Sequence, residues 1–396
     1  MTTQTECPLT IEWEDLPASQ RPRVIVEYSL ESAFLTSTDA WSVTLYDDDP
    51  ARLANLALAP VSLLIHGNRQ LYGRVERVSR GGNGREVKIA GRDHLADIVE
   101  CNVDPSVRVT EDMTLAQVVN FVASPCGIST VFGEADAQTR SIKSGAPLKA
   151  GKDQGFPSLV PGNLKPEPGM GIFDWLNRLA ARQGCTIQPG PDRSSVILAA
   201  PNYDSKPIAT FSRASDPRPA RRNNIKSASA DEDYSSFPTV GLVSGKVTTA
   251  GDAAKAAGSV RDITQGMPPA LLRLIGSRIL TKRIKPEAPG SADAKKLYRL
   301  LYVKDDEARK PEQVERSIAR AVSERLRATL SYEVTVRGHR DPDSGYVFAT
   351  DTMAQVKDDV CGIDEALWVA SRTFTYSRGA GAESKLTLWR PGSFIL

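Results

Sequence analysis

The sequence predicts a β-rich α+β protein that contains two similar antiparallel β units. Residues 61–93 alternate apolar and polar side chains in three runs, which Gly and Asn residues separate. This pattern is typical of an antiparallel meander with one buried face. Residues 356–391 repeat the same order of a short run, a long run, a Gly-rich turn and a long run. The chain therefore carries one β unit twice, and the two copies could occupy equivalent places in one ring.

The glycine cluster at 81–84 lies between two of these runs. A phosphate-binding loop requires a strand before it and a helix after it. Here another strand pattern follows, and Asn83-Gly84 suits a tight hairpin turn. The cluster is therefore predicted to be a hairpin tip.

The composition is that of an ordinary globular protein. The chain has 396 residues, 40% of them hydrophobic and 25% charged, with a net charge of +2, and this length suits two to four domains. No apolar run is long enough to span a membrane, and no secretory signal is visible. The cysteines show no CxxC spacing, which favours reduced thiols over a zinc site. They are Cys7, Cys101, Cys126, Cys185 and Cys361.

The N-terminal region is predicted to be mainly strand. Residues 1–20 are polar and are predicted to form an arm, and strands are predicted at 24–30 and 41–46. An aspartate triplet at 47–49 follows. It lacks the spaced ligands and the glycine of a calcium loop, so a solvated turn is favoured over a cation site.

The period then changes to that of helices. Thr114 and Gln117 have capping-box spacing and open a helix over 115–122. A second helix is predicted at 171–182, and residues 137–169 form a long loop rich in Gly, Pro, Lys and Ser. Two short strands are predicted at 185–188 and 196–198.

The C-terminal half alternates helices with irregular segments. Residues 244–270 are predicted to form an exposed excursion, 269–283 a helix and 286–295 another loop. The clearest helix covers 310–330, with acidic residues near its start and basic residues near its end, which complements the helix dipole. From Leu330 the period becomes two, so this helix leads into the second β unit.

Candidate nucleophiles and kinase motifs are weak. Residues 339–341 read His-Arg-Asp like a kinase catalytic triplet, but residue 346 is Tyr where an Asn is needed. No GxSxG motif is present. Cys361 and His339 could meet in space, but Cys361 is predicted to be a small buried hydrophobe.

Charged candidates have simpler explanations. The pairs Glu12/Glu14 and Asp358/Asp359 could serve as glycosidase carboxylates, but such catalysis needs two carboxyl groups at a set separation in one cleft, and surface charge is the default. The basic stretch 213–226 has no interleaved aromatic residues of the kind that stack on single strands. No catalytic, metal-binding or cofactor-binding residue is assigned, and no cofactor is predicted.

The order of short motifs resembles one family. The motifs are VTLYD at 43–47, VKIAGRD at 87–93, GIFDWLNRLAARQGC at 171–185, Asn224-Ile225, VTVRGH at 334–339 and LTLWRPGSF at 386–394. This series resembles the baseplate hub protein of contractile-tailed, Mu-like bacteriophages, and it is similar to the hub part of type VI secretion spike proteins. The resemblance extends from about residue 23 to 394, whereas 137–169 and 244–295 match nothing in the family.

The resemblance implies two β-barrel-like tube domains in each subunit, assembling as a pseudo-sixfold trimeric ring. The implied domains are a first tube domain at 1–100, an α+β domain at 101–204, the start of the second tube domain at 205–240, an excursion with helices at 241–330, and the rest of the second tube domain at 331–396. No spike follows the hub part, so a separate spike protein is expected.

The function implied is structural and not enzymatic. A homotrimeric hub would join the hexameric tail tube to the trimeric central spike in the baseplate of the virion tail, after assembly in the host bacterial cytoplasm. Its partners would be the spike, a tube or tube-initiator protein, wedge proteins and a tape measure protein, with DNA only passing through the lumen and no membrane insertion. The alternatives are a baseplate-associated cell-wall hydrolase and a DNA-binding tail protein that uses residues 213–226.

Overall fold

The computed structural model of the protein describes residues 7–81, 85–110, 113–133, 165–182, 185–215, 223–238, 240–246, 279–284, 299–304 and 311–394. The chain divides into two compact units. The first comprises Met1–Ala230 and Tyr332–Trp389, and the second comprises Asp231–Ser331 and Arg390–Leu396. The predicted meander at 61–93 and residues 356–389 of the second meander belong to the first unit.

Six antiparallel strands form the N-terminal part of the first unit. They are β1 (Leu9–Trp13), β2 (Val24–Ala33), β3 (Ala40–Tyr46), β4 (Pro60–Ile65), β5 (Asn68–Arg80) and β6 (Glu86–Asp93). In the sheet their order is β1-β4-β5-β6-β3-β2, and every neighbouring pair is antiparallel. Val43 and Ile89, which face each other across β3 and β6, are almost completely buried, because alternate residues of a strand point to the same face.

A small α+β layer follows β6. It comprises α1 (Ala96–Glu100), α2 (Leu115–Ala123), β7 (Thr130–Phe132), α3 (Ile172–Arg182), β8 (Thr186–Pro189) and β9 (Ser195–Ala199). The predicted capping box is confirmed, since Thr114 and Gln117 cap the start of α2 reciprocally. The strands form a sheet in the order β7-β9-β8, and Val119 of α2, Leu176 of α3 and Ile187 of β8 share its apolar core.

The remaining elements complete the large sheet and build the second unit. In chain order they are β10 (Ala209–Arg213), β11 (Ile225–Asp231), β12 (Val240–Lys246), β13 (Ile279–Ile284), β14 (Leu300–Lys304), α4 (Pro311–Ala328), β15 (Ser331–Arg337), β16 (Met353–Asp358), β17 (Ile363–Ser377) and β18 (Gly381–Trp389). The large sheet continues from β2 through β17, β18 and β15 to β11, and β16 pairs with both β10 and β17. In the described residues this sheet has 12 strands.

The second unit contains a three-stranded sheet in the order β13-β12-β14, with β12 antiparallel to β13 and parallel to β14. Helix α4 packs on this sheet. Arg325 and Arg327 lie in its last turn, where basic side chains interact favourably with the helix dipole. The helix predicted at 310–330 is thus confirmed, with ends two residues or fewer from the prediction.

Two secondary-structure predictions are wrong. Within the predicted arm at 1–20, Leu9–Trp13 forms β1, and it does so because Leu9 and Trp13 are buried opposite Ile65 and Val61 of β4. Within the helix predicted at 269–283, Ile279–Ile284 is a strand that pairs with β12.

Several predictions fall partly or wholly outside the described residues. These are the hairpin tip at 82–84, the loop over 134–164, the excursion and the start of the predicted helix over 247–278, and the loop at 286–295.

Candidate functional site

The first unit contains two groups of six strands with the same arrangement, which we call the first and the second β set. Strands β1 to β6 correspond in chain order to β10, β11, β15, β16, β17 and β18. Their neighbour order corresponds as well, because β1-β4-β5-β6-β3-β2 matches β10-β16-β17-β18-β15-β11. The repeat predicted from residues 61–93 and 356–391 is confirmed, and it extends from three strands to six.

The correspondence holds at single residues. Strand β5 has a bulge against β6 between Val75 and Arg77, and β17 has one against β18 between Val369 and Ser371. At the bulge, Val75 exchanges backbone hydrogen bonds with Leu58 and Ala59, at 2.9 and 3.0 Å. Bulges redirect a strand and end local pairing.

The same exchange occurs in the second set. Val369 exchanges backbone hydrogen bonds with Asp351 and Thr352, at 2.9 and 2.8 Å. Asp351 and its counterpart Leu58 both have positive φ, 59° and 61°. The preceding strand, β4 or β16, therefore stops pairing at the same point in both sets.

Beyond the bulge, β17 pairs with β2, and this contact joins the two sets. We call it the junction ladder. It contains seven antiparallel pairs, from Ser371 opposite Ala33 to Ser377 opposite Glu27. The rings of Tyr28 and Tyr376, a directly opposed pair, stack with centroids 5.6 Å apart. Two similar β sets thus form one continuous sheet.

A buried network of polar side chains contacts the junction ladder at Tyr28 of β2. His339 Nε2 is 2.6 Å from the Tyr28 hydroxyl, and its Nδ1 is 2.9 Å from Ser384 Oγ. The Ser384 hydroxyl donates its proton to the Gly338 carbonyl, at 2.6 Å. His339 must therefore donate from Nδ1 and accept at Nε2, as a neutral imidazole does.

Burial explains the protonation state of this network. Loss of solvent is the largest cause that lowers the pKa of His339, to about 3, and it also raises the pKa of Tyr28. The imidazole stacks on Phe374 with ring centroids 4.4 Å apart. His339 and Ser384 are completely buried, so this Ser–His pair holds strands together and offers no exposed nucleophile.

A buried ion pair joins β10 and β16 of the second β set. Arg213 of β10 binds Asp358 of β16 through two hydrogen bonds, of 2.9 and 2.8 Å, and the Tyr332 hydroxyl donates to the same carboxylate at 2.8 Å. Burial would raise the pKa of Asp358, but these bonds and the Cys361 amide outweigh it and hold the pKa at about 2. Bidentate pairs of this kind fix the geometry of the groups they join.

Asn224 binds β10, the first strand of the second β set, through hydrogen bonds. This residue immediately precedes β11, and its backbone and side chain exchange hydrogen bonds with Ser212 of β10, at 3.1 and 2.8 Å. Its side-chain amide also donates to the Thr210 carbonyl at 2.6 Å. The Asn-Ile motif at 224–225 therefore links β11 to β10.

The structure does not assemble the predicted nucleophile pair. His339 is held by Tyr28 and Ser384, whereas Cys361 lies 3.2 Å from the Arg213 guanidinium and is half-buried. The prediction of Cys361 as a buried hydrophobe is therefore wrong in its polarity, because the thiol borders an ion pair. The triplet at 339–341 ends in a turn, in which the amide and hydroxyl of Ser344 donate to the Asp341 carboxylate.

Two predictions about acidic residues are each wrong for one residue. Asp358 is fully buried in its ion pair and is not a surface charge, whereas Asp359 is exposed. Asp47 of the aspartate triplet is buried and accepts hydrogen bonds from the Arg23 and Asp49 amides, whereas Asp48 and Asp49 are exposed, as predicted. Glu12 and Glu14 are exposed, as predicted.

The basic stretch 213–226 is described only in part. Arg213 is committed to Asp358, and Lys226 contacts Glu383. These two cations are therefore balanced within the first unit. Within the described parts of the chain, no group of His, Cys, Asp and Glu side chains could hold a metal ion, and none of the helices there is long and apolar enough to cross a membrane.

Tyr28, Ser384 and Tyr332 were not predicted as members of these networks. A signal for Ser384 was present: it shares the buried period-two face of β18 with Leu386 and Leu388. A hydroxyl at such a position requires a hydrogen-bond partner.

Comparison with known proteins identifies proteins of the same fold. Residues 324–392, which include β15 to β18, match a family described as "Tail protein, C-terminal domain". A tail protein from Neisseria meningitidis MC58 is 19% identical, with a TM-score of 0.67 over 98% of this chain and 97% of that chain. The 43 kDa tail protein of prophage MuSo2 from Shewanella oneidensis is 17% identical, with a TM-score of 0.68 over 98% of this chain and 99% of that chain. The chain has the fold of phage tail proteins.

A component of a type VI secretion system has a similar fold. The E. coli protein c3393, a type VI secretion component described as similar in structure to the T4 phage tail proteins gp27 and gp5, is 9% identical, with a TM-score of 0.51 over 98% of this chain and 78% of that chain. No curated protein sequence matches significantly. The predicted resemblance to Mu-like tail proteins and type VI secretion spike proteins is confirmed at the level of the fold.

Proposed function

We propose that the chain is the structural hub of a contractile phage tail baseplate. Three copies form a ring that joins the hexameric tail tube to the trimeric central spike and encloses a channel. The observation that supports this most is the six-strand arrangement used twice in one chain and joined by the junction ladder. Three such chains present six similar β sets to the tube and three identical surfaces to the spike.

The proposed role is mechanical. A closed ring of hydrogen-bonded sheet is stiff and covers strand edges that would otherwise be exposed. Its lumen passes DNA and admits the tape measure protein, and its outer surface contacts wedge proteins of the baseplate. We assign the tube domains to 1–100 and to 205–240 with 331–396, and we assign no enzymatic step, since the Ser384 hydroxyl is completely buried.

The test is the assembly state of the purified chain, measured by native mass spectrometry and imaged by electron microscopy. The expected result is a trimer whose averaged images show six similar densities around a central hole. Monomers alone, in the presence of matching spike and tube proteins, would rule out the hub. The hydrolase alternative predicts lysis in a cell-wall zymogram, and the DNA-binding alternative predicts affinity that falls steeply with salt.

A further inference from the structure

Within the described residues, the distal part of β5 in the first β set has no strand on the edge where β17 of the second set has β2. On one edge of β17, β16 pairs with residues 363–368 and β2 pairs with residues 371–377. On the corresponding edge of β5, β4 pairs with residues 68–74. Beyond the bulge, residues 77–80 of β5 pair with β6 on the other side, and no described strand occupies the edge that β2 fills in β17.

The open backbone groups can be identified. The Gly81 amide donates to the Glu86 carbonyl, and hydrogen-bonded residues alternate along an antiparallel ladder. Ser79 therefore bonds to β6, and the N–H and C=O groups of Val78 and Arg80 point to the open edge. In β17 the same alternation is visible, because the Phe34 amide, just beyond the end of β2, donates to Ala370.

The strand that would fill this edge also has an open side. The counterpart of β2 is β11, and within the described residues β11 has β15 as its only strand neighbour. Residues 226–230 expose most of their side chains. Each chain thus pairs β2 with β17. The equivalent pair would be β11 with the distal part of β5, and within the described residues these two strands do not pair with each other.

We propose that β11 of one copy adds to residues 77–80 of β5 in the next copy, antiparallel, as β2 adds to β17 within the chain. The inference rests on the proposed ring and names the strands that close it. Three ladders within chains and three between chains would then alternate around the ring. The contact is heterologous, so a rotation that closes after three copies is required.

The residue types suit such a contact. Both strands carry small or charged residues here, including Arg77 and Ser79 on β5 and Lys226, Ser227 and Ser229 on β11. Main-chain hydrogen bonds provide the affinity when a strand is added to a sheet edge. Charged side chains on the two edges also oppose non-specific aggregation of free chains.

The first experiment removes one outward donor. Val78→Pro deletes the N–H that points to the open edge, and it leaves the hydrogen bonds between β5 and β6 in place. Val78→Thr keeps that N–H with a side chain of similar shape and serves as the matched control. We expect Val78→Pro to weaken trimer formation at least tenfold in native mass spectrometry, with a monomer that keeps its circular dichroism spectrum, whereas Val78→Thr assembles normally. A Val78→Pro trimer as stable as that of the unaltered protein would overturn the inference.

The second experiment cross-links the proposed contact. Ser79→Cys is combined in turn with Ser227→Cys, Ala228→Cys and Ser229→Cys, since directly opposed residues of two strands can form a disulfide. Ser29→Cys with Thr375→Cys, a directly opposed pair of the junction ladder, is the positive control within one chain. The single variant Ser79→Cys is the negative control, because it reports any cross-link between the introduced cysteine and the native ones. We expect at least one pair to give a covalent trimer under oxidising conditions.

The outcomes separate the two proposals. If the unaltered chain is trimeric but no pair cross-links between copies, the ring stands and the strand assignment is wrong. If the unaltered chain is monomeric beside its spike and tube partners, the hub itself is wrong.

Discussion

The two β sets share their strand order but fill one equivalent position in opposite ways. In the first set, Leu9 of β1 lies opposite Ile65, the last residue of β4. In the second set, Arg213 of β10 lies opposite Asp358, the last residue of β16. The first pair is apolar and buried, whereas the second is an ion pair whose carboxylate is fully buried. The contact between the first strand of a set and its neighbour therefore accepts either chemistry, provided that each buried group is satisfied.

The direction of the first strand differs as well. Strand β1 runs antiparallel to β4, whereas β10 runs parallel to β16. An apolar contact is non-directional, but the bidentate pair between Arg213 and Asp358 also specifies geometry. We infer that the ion pair helps to select β16 as the partner of β10.

The largest expected effect tests this contrast. Arg213→Ala leaves the Asp358 carboxylate buried without its cation, and removing one partner of a buried pair costs about 3 to 5 kcal/mol. We expect a loss of that size in the free energy of unfolding, measured in urea. The matched control is Lys226→Ala, which removes a cation from an exposed contact with Glu383 and should cost less than about 1 kcal/mol.

A double variant sharpens the same comparison. Arg213→Leu with Asp358→Ile places in the second set the two residue types that the first set uses. Apolar replacement of a whole buried pair is often neutral, but Asp358→Ile also removes the acceptor of the buried Tyr332 hydroxyl. This variant should therefore recover part of the stability that Arg213→Ala loses. Equal losses in the single and double variants would show that the two positions are not equivalent.

The sequence predicted the repeat better than it predicted the contacts within it. Strands β6 and β18 of the two meanders alternate buried and more exposed residues, so their buried faces can be read from the sequence. Strand β11 could not be found in this way, because only Ile225 of its residues is buried and the sheet neighbour β15 supplies its pairing. Asp358 next to Asp359 looks like surface charge in the sequence, and only the fold brings Arg213 to it from 145 residues away.

The next prediction concerns the polar network that Tyr28, His339 and Ser384 form beside the junction ladder. The pKa of His339 is lower in the folded chain than the ordinary histidine value. Below about pH 6.5 the unfolded chain therefore binds a proton that the folded chain does not, and the free energy of unfolding decreases as the pH falls. Tyr28, Ser384, His66 and Arg372 are the polar groups that interact with His339.

The measurement compares the unaltered chain with His339→Gln, whose side chain does not titrate. The variant removes the ring stack and is therefore less stable at pH 7. Between pH 7 and pH 5 the gap in the free energy of unfolding should narrow by about 2 kcal/mol. Urea unfolding at half-unit steps of pH checks this, and a constant gap would mean that His339 is not held neutral.

The smallest expected effect lies at the positive-φ residues where β4 and β16 stop pairing. Asp351 suits its left-handed backbone, because a short polar side chain tolerates it, and its carboxylate accepts hydrogen bonds from the Asn202 amide and the Trp368 indole, at 2.8 and 3.0 Å. Leu58 holds the same conformation with an exposed side chain. The first β set is therefore strained at a point where the second is not.

Leu58→Asn should relieve this strain and raise the free energy of unfolding by about 1 kcal/mol, since the left-handed region costs an ordinary residue about 1 to 2 kcal/mol. Asp351→Asn keeps both the backbone tolerance and a side-chain acceptor, and it serves as the control with a small effect. Because the Leu58 side chain is 69% exposed, little apolar contact within the chain is lost in the substitution. A destabilised Leu58→Asn monomer would mean that this leucine contributes packing that offsets the strain. A stabilised monomer that no longer forms trimers would instead show that the strain is retained because the exposed leucine serves a neighbouring copy.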